Sequence, residues 1–334
     1  KKQKTESAEN GYTLFIRNLD GGQTDTVRFV TEYLFAAEAE MIMYATTGDT
    51  PDTIPEVVLL DLKKGVKSVL YTGKAKYKQL AVDKKGERAA FILSFDEKDK
   101  AGNTWSLCYW NGKGLAALAA SQGTPGLPEG WIINENSPLS FAEKSPRLFF
   151  GSSPAYKIKD TTMLDEDRPN VDVWHYSEGK LHPAQVVSKA RDLKKYYTAV
   201  YHADLKKVVQ LATAEMPETQ LIDKGDAANV VATSNLPYEL QSMWEGDPRY
   251  DVWLVDVITG LPQKIIENCR ARMRVSPAGK YLYWYHGTDS SWYSYNFREK
   301  REIRVTTPAT LTVYDEENDV PEIMGRVNEN ENRS

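Results

Sequence analysis

The sequence predicts an all-β fold, a β-propeller of about six to eight four-stranded antiparallel blades in which one blade can be incomplete. Two recurring strand-and-turn patterns, their regular spacing and the aromatic composition predict it. Hydrophobic residues make up 41% of the 334 residues, enough for a sizeable core, and aromatic residues reach 11%. Aromatic and β-branched side chains suit a pleated, half-buried surface, so the composition favours strands over helices.

The first pattern is a short alternating strand, a polar turn containing Asp, Asn or Gly, and a return strand. Such a sequence is typical of a β-hairpin. It recurs six times along the chain, at Leu14–Gly22, Val57–Gly65, Trp105–Gly112, Val200–Lys207, Val252–Gly260 and Trp292–Phe297.

The second pattern falls between these hairpins and joins a tight turn to an aromatic-rich or apolar strand. Its clearest copy is Val275–Trp284, and looser copies are Val82–Phe91 and Phe141–Phe150. Pro and Gly in these segments indicate the turn, and the large side chains that follow predict a buried strand.

The spacing of the hairpin turns gives the period of the repeat. Asp20, Asp61, Asn111, Asp204, Asp256 and Asn296 are separated by 41, 50, 93, 52 and 40 residues. Repeats of 40–50 residues are typical of four-stranded propeller blades. The interval of 93 predicts two repeats, the hidden one at Val171–Tyr176. A β-sandwich with coincidental turns is the alternative that the pattern leaves open.

Other segments set the limits of the domain. Tyr33–Ala45 and Leu115–Ser121 contain helix formers. Because the repeat requires a strand at Tyr33–Ala45, we predict a strand in that segment. Residues 121–170 are rich in Pro and Gly and predict long loops around one blade. We expect the propeller to span residues 1–320 and residues 321–334 to form a linker or tail.

Charge and cysteine content exclude several classes of partner. The net charge is −5 and Lys and Arg form no block, so a nucleic-acid-binding surface is not expected. No apolar run approaches the roughly 20 residues that a membrane span needs. Cys108 and Cys269 form neither a disulfide framework nor a metal motif, although one disulfide is compatible with the sequence.

The sequence contains no catalytic motif, and we expect no catalytic residue, metal or cofactor. There is no G-x-S-x-G segment and no H-E-x-x-H segment. His175 and His202 lie in predicted strands, where a structural hydrogen bond is the expected role. Trp174, Trp253, Trp284 and Trp292 recur in blade strands, and we expect them to pack between blades.

Three segments carry a family resemblance: Asp160–Tyr176, Tyr197–Tyr201 with Val209–Leu211, and Tyr250–Asp256. Over residues 12–320 the chain resembles the N-terminal propeller of secreted or periplasmic serine peptidases of the prolyl oligopeptidase family. In that family the propeller precedes an α/β-hydrolase domain, covers its active site and restricts access to peptides. The resemblance implies that the hydrolase domain follows Pro321 and is absent here, so its catalytic residues have no counterparts.

The resulting hypothesis is a non-catalytic propeller that gates and docks peptide substrates for a hydrolase domain of the same parent chain, in the periplasm or outside the cell. It predicts an apolar patch where that domain docks. Asp165, Glu166 and Arg168 are the candidate binding residues, because they lie in the most irregular polar loop. The alternatives are a stand-alone propeller that binds a protein or peptide, and a propeller enzyme with carboxylates assembled from distant blades.

Overall fold

The computed structural model describes residues 11–19, 21–48, 54–96, 103–156, 175, 178–245, 249–271, 273–286 and 291–306. This part of the chain contains five antiparallel sheets, which we name A to E in chain order. The all-β prediction is confirmed, and the sheets are propeller-like blades. Sheets B, D and E have four strands each, and A and C have five.

The strands follow one another through the sheets with little rearrangement. Sheet A contains β1 (Tyr12–Arg17), β2 (Thr24–Phe35), β3 (Met41–Thr46), β4 (Glu56–Asp61) and β5 (Val66–Thr72). Sheet B contains β6 (Lys76–Val82), β7 (Ala89–Ser94), β8 (Ser106–Trp110) and β9 (Ala117–Ala120). Sheet C contains β10 (Trp131–Ile133), β11 (Ser140–Phe141), β12 (Arg147–Pro154), β13 (Tyr197–His202) and β14 (Lys207–Gln210). Sheet D contains β15 (Glu218–Gln220), β16 (Asn229–Ser234), β17 (Tyr250–Asp256) and β18 (Pro262–Cys269). Sheet E contains β19 (Arg274–Val275), β20 (Tyr281–His286), β21 (Ser291–Asn296) and β22 (Arg301–Arg304).

All six hairpins of the first pattern are present, and their turns explain the recurring Asp and Asn. Asp61 Oδ1 accepts the N–H groups of Lys63 and Lys64 at 3.1 and 2.9 Å. Asp256 and Asn296 accept the N–H groups two and three residues ahead in the same way. A short polar side chain at the end of the strand therefore stabilises the reversal of the chain.

The second pattern connects the first two strands of a blade and brings its turn against the preceding sheet. Gly225, in the equivalent connection between β15 and β16, has φ +92°, and a Cβ there would lie 2.5 Å from Phe149 Cε2 of sheet C. Gly279 has φ +65°, and its Cβ would lie 3.0 Å from the Asp223 backbone nitrogen of the sheet D turn. Glycine is required at both positions by conformation and by close approach.

Four hydrophobic cores lie between successive sheets, as a row of blades requires, and a fifth cluster lies within sheet A. Met43, Leu59 and Phe91 belong to the core between A and B, and Ile92, Leu107 and Phe150 to that between B and C. The cores between C and D and between D and E contain Val200 with Val255, and Leu254 with Leu282. Cys108 and Cys269 are free, buried and in different cores, so they do not form a disulfide with one another.

The predicted tryptophans have different positions. Trp284 is buried between sheets D and E, and Trp253 packs against the core between C and D. Trp292 is 39% exposed on the face of sheet E that is turned away from sheet D. Trp174 lies outside the described residues.

The 93-residue interval contains one described sheet and a long insertion. Strands β12 and β13 pair directly, so the chain leaves sheet C at residue 155 and returns at 196. The predicted hairpin at 171–176 lies almost entirely outside the described residues. The insertion includes helix α1 (His182–Asp192), and a second helix, α2 (Glu239–Glu245), joins β16 to β17. The sequence analysis predicted neither helix.

The two segments with helix formers are strands. Tyr33–Ala45 contains the end of β2, a turn and most of β3, and Leu115–Ser121 contains β9. An antiparallel order places the first and third connections of the four-stranded sheets, and the second and fourth connections of the five-stranded sheets A and C, at one edge, which we call the short-loop face. The other connections, including both helices, and the links between blades lie at the opposite edge, the long-loop face.

Candidate functional site

A cavity of about 2150 Å³ opens on the long-loop face. Its walls include Lys78 and Gln79 of β6, Glu135 and Asn136 after β10, and Thr219 of β15. These residues belong to the first strands of sheets B, C and D or follow them directly. Because the blades of a propeller surround a central channel, the cavity lies where the mouth of that channel is expected.

Sheets B and C are joined at the cavity wall by a charged pair. Lys78 Nζ donates to Glu135 Oε2 at 2.6 Å, and Gln79 Nε2 donates to the Glu135 carbonyl at 2.8 Å. Lys78 Nζ also lies 5.1 Å from the ring centroid of the buried Trp105. The ring and the carboxylate together hold the ammonium group at this position.

A bulge in β6 turns these side chains toward the cavity. The pairing of β6 with β7 shifts between Lys78 and Ala81, and Gln79 has φ +54°. The bulged backbone is satisfied from sheet A, because Glu32 Oε1 accepts the Leu80 N–H at 3.1 Å. Burial raises the pKa of the Glu32 carboxyl above its usual value, against the opposing effect of these backbone hydrogen bonds.

Asn134 holds together the chain segments around the cavity. Its side chain is buried at the break between β10 and β11, where residues 134–139 interrupt the first strand of sheet C. Its Nδ2 lies 3.0 Å from Ser153 Oγ, 3.3 Å from Tyr156 Oη and 3.2 Å from the Lys195 carbonyl. Tyr156 and Lys195 lie at the two ends of the sheet C insertion, so one amide fixes both ends.

The contact between sheets C and D at the cavity is neutral and polar. Thr219 Oγ1 donates to Thr198 Oγ1 at 2.7 Å. Deeper in sheet C, Ser152 Oγ donates to Gln210 Oε1 at 2.7 Å. Hydroxyl and amide groups can form hydrogen bonds with the backbone of an extended ligand, so this wall is suited to binding a peptide chain.

Helix α1 and the residues that follow it lie over one side of the cavity. Lys180 Nζ lies 4.0 Å from Asp192 Oδ2 and 3.8 Å from Glu239 Oε1, which connects the start of the helical segment to α2. Lys189, Lys194 and Lys195 also line the cavity and are exposed. This side of the site is therefore rich in cations.

The two helices also present apolar residues to solvent. Val187 of α1 is 86% exposed and Trp244 of α2 is 85% exposed. Leu193, which follows α1, and Leu240 of α2 are also exposed. A contiguous apolar patch is typical of an interaction surface. These four residues are the candidates for the expected docking patch, which stays a prediction.

The predicted site residues and histidines are placed as follows. Asp165, Glu166 and Arg168 lie outside the described residues, so their role stays a prediction. His202 is buried and its Nε2 lies 2.8 Å from the Val257 carbonyl, which confirms the structural role expected for it. Desolvation lowers the pKa of the His202 imidazole, against the effect of that hydrogen bond. His175 is exposed and lies outside the strands.

No sequence motif marks the cavity as a binding site. The segment Asn134–Pro138 carried the available signal, because its Asn residues and proline indicate a turn within a strand.

Among the described residues no group of three or more His, Cys, Asp or Glu side chains could hold a metal ion. No described helix is long and apolar enough to cross a membrane.

Comparisons with known proteins give structural similarity without close sequence similarity. No family model matches the chain, and no curated protein matches it. Porphyromonas gingivalis dipeptidyl peptidase 4 is similar with 11% identity and a TM-score of 0.45, over 87% of this chain and 43% of that protein. TolB from Acinetobacter baumannii has 13% identity and a TM-score of 0.34, over 89% and 60%. Pyrococcus horikoshii acylaminoacyl peptidase has 12% identity and a TM-score of 0.38, over 83% and 39%.

Five successive antiparallel sheets with a hydrophobic core between each neighbouring pair define the class of protein as a β-propeller domain. The chain spans less than two thirds of each of these three proteins.

Proposed function

We propose that this chain is the non-catalytic propeller of a periplasmic or secreted serine peptidase, and that it docks and gates peptide substrates for an α/β-hydrolase domain. The observation that carries the proposal is the cavity of about 2150 Å³ on the long-loop face. A cavity of this size exceeds the 300–1,000 Å³ of an ordinary small-molecule pocket and can admit several residues of peptide.

The chemistry of the walls supports a peptide as the ligand. The lining includes hydrogen-bond donors and acceptors, supplied by the hydroxyls of Thr198 and Thr219 and the side-chain amide of Asn136. It also includes apolar side chains, those of Val186 and Leu236. A peptide presents backbone donors and acceptors together with side chains of mixed polarity, so it matches such a lining. The exposed apolar residues of α1 and α2 would contact the hydrolase domain beside this opening.

Filling the cavity from α1 tests the docking role. Ala190 lines the cavity, whereas Ala184 is exposed on the same helix and is not part of the lining. We expect Ala190→Trp to weaken the binding of a fluorescein-labelled unfolded peptide by about tenfold or more, since a loss of ~1.4 kcal/mol suffices. Fluorescence anisotropy measures this affinity.

Ala184→Trp is the matched control, because it makes the same substitution on the same helix outside the cavity. Its affinity should equal that of the unchanged protein. Equal affinity in both variants, or no peptide binding by the unchanged protein, would contradict the proposal. Release of cleaved peptide by the purified chain would contradict its non-catalytic part.

A further inference from the structure

The charges around the cavity are distributed unevenly. Residues 189–195 contain one acid, Asp192, and four cations: Lys189, Arg191, Lys194 and Lys195. The whole chain, in contrast, has a net charge of −5. The segment runs from the last turn of α1 to the start of β13, and all four cations line the cavity. The wall formed by this segment is therefore locally positive.

The one acid of the segment already has partners. Ser188 Oγ donates to Asp192 Oδ2 at 2.6 Å, Arg191 Nε lies 3.7 Å from Asp192 Oδ1, and Lys180 Nζ lies 4.0 Å away. The Ser188 hydrogen bond and the nearby cations hold the pKa of the Asp192 carboxyl below its usual value, so it is charged at neutral pH. The Asp192 carboxylate therefore has Ser188, Arg191 and Lys180 as partners, and it does not pair with Lys189 or Lys194.

Three lysines of this segment form no ion pair with a described carboxylate. Within the described part of the chain, Lys189 and Lys194 form no ion pair with a carboxylate, and Lys195 Nζ lies over the Tyr197 ring at 5.6 Å. On the opposite wall, Glu218 forms no ion pair with a described cation. Lys78, in contrast, is occupied by Glu135. Glu178 also lines the cavity and accepts a hydrogen bond from Gln185 Nε2 without an ion pair to a described cation. Among the described residues, the unpaired charges at this cavity are thus three cations and two acids.

We infer that the cavity selects peptides rich in Asp and Glu, whose carboxylates pair with Lys189, Lys194 and Lys195 while their apolar side chains contact Val186, Ala190 and Leu193. This inference rests on the proposed peptide-docking function and names its substrate class. Both kinds of lining residue lie on one helical segment, which gives an acidic peptide a matching surface of charge and apolar area.

The test compares three labelled peptides of one length that differ only at four positions, occupied by Glu, Gln or Lys. Exposed ion pairs contribute about twofold in affinity each, so three of them predict about eightfold tighter binding of the Glu peptide than of the Gln peptide at low salt. The Lys peptide should bind more weakly than both. Raising the salt concentration should remove the difference, because the pairs are exposed.

Two sets of substitutions assign the preference to this wall. The triple variant K189Q/K194Q/K195Q should bind the Glu peptide no more tightly than the Gln peptide. The control K63Q/K67Q/K113Q changes the net charge equally at exposed lysines elsewhere and should keep the preference. Glu218→Gln should increase the affinity for the Glu peptide about twofold, since it removes one repulsive charge.

The outcomes separate this inference from the proposed function. Equal binding of all three peptides would overturn the acidic preference and leave peptide docking in place. Loss of the preference in both triple variants would overturn the assignment to the α1 wall. Binding of none of the peptides would overturn the docking function itself.

Discussion

Replacing Asn134 by Ala should destabilise the fold at the cavity more than any single hydrogen bond would suggest. The side chain is 2% exposed, and its Oδ1 accepts the Asn136 N–H at 2.7 Å. Its two amide hydrogens serve three acceptors at 3.0–3.3 Å, so two of these bonds form at one time. Asn134 Oδ1 also accepts the Asn136 side-chain Nδ2–H at 3.1 Å. Asn134→Ala therefore removes four hydrogen bonds and leaves buried partners unsatisfied.

The expected loss is about 4 kcal/mol, at roughly 1 kcal/mol for each hydrogen bond. The entropy of unfolding is about 2.1 cal/mol/K per residue, or about 0.7 kcal/mol/K for 334 residues, so Tm should fall by about 6 °C. Differential scanning calorimetry measures the change. Hydrogen exchange should also become faster in residues 181–196, because Asn134 no longer holds the Lys195 carbonyl.

Ser153→Ala is the matched control, since it removes one partner of the same amide. Its Tm should fall by about 1–2 °C. The reasoning fails if Asn134→Ala lowers Tm no more than Ser153→Ala, or if exchange in residues 181–196 is unchanged. Either result would mean that the break in sheet C is held by other contacts.

Two further predictions concern the fold. Gly225→Ala should lower Tm by about 3–4 °C in calorimetry, because its Cβ would meet Phe149 at 2.5 Å. The control Gly65→Ala should lower Tm by about 1 °C, since nothing lies within 4 Å of its Cβ. Equal effects of the two substitutions would exclude the steric cause. His202 has a pKa below the 6.5 of an exposed imidazole, so protonation favours the unfolded chain and stability should fall as the pH decreases below about 6.5. His202→Gln should show a smaller loss of Tm between pH 7.5 and pH 5, and an identical pH profile would contradict the role of this imidazole.

Much of the fold could be predicted because its signals are local. A polar residue at a strand end and the N–H groups two or three positions ahead are close in sequence, so Asp61 and Asp256 mark their hairpins without help from the rest of the chain. The glycine of the second pattern, Gly279, could also be recognised from the sequence. The reason why glycine is required there could not, because its contact with Asp223 joins two different sheets.

The interval of 93 residues shows where spacing is insufficient. Two blades or one blade with a long insertion give the same distance between turns. Only the pairing of β12 with β13 distinguishes them in the described chain. The helices were missed for a related reason, since short helices such as α2 depend on their surroundings more than on propensity.

The sequence by itself determined an all-β chain of repeated hairpins, because strand alternation and turn chemistry act between near neighbours. The tertiary structure alone decided the cavity and its chemistry. Lys78 meets Glu135 57 positions away, and Asn134 meets the Lys195 carbonyl 61 positions away. Such contacts depend on how complete sheets pack, and that packing is set by the buried faces of many residues acting together.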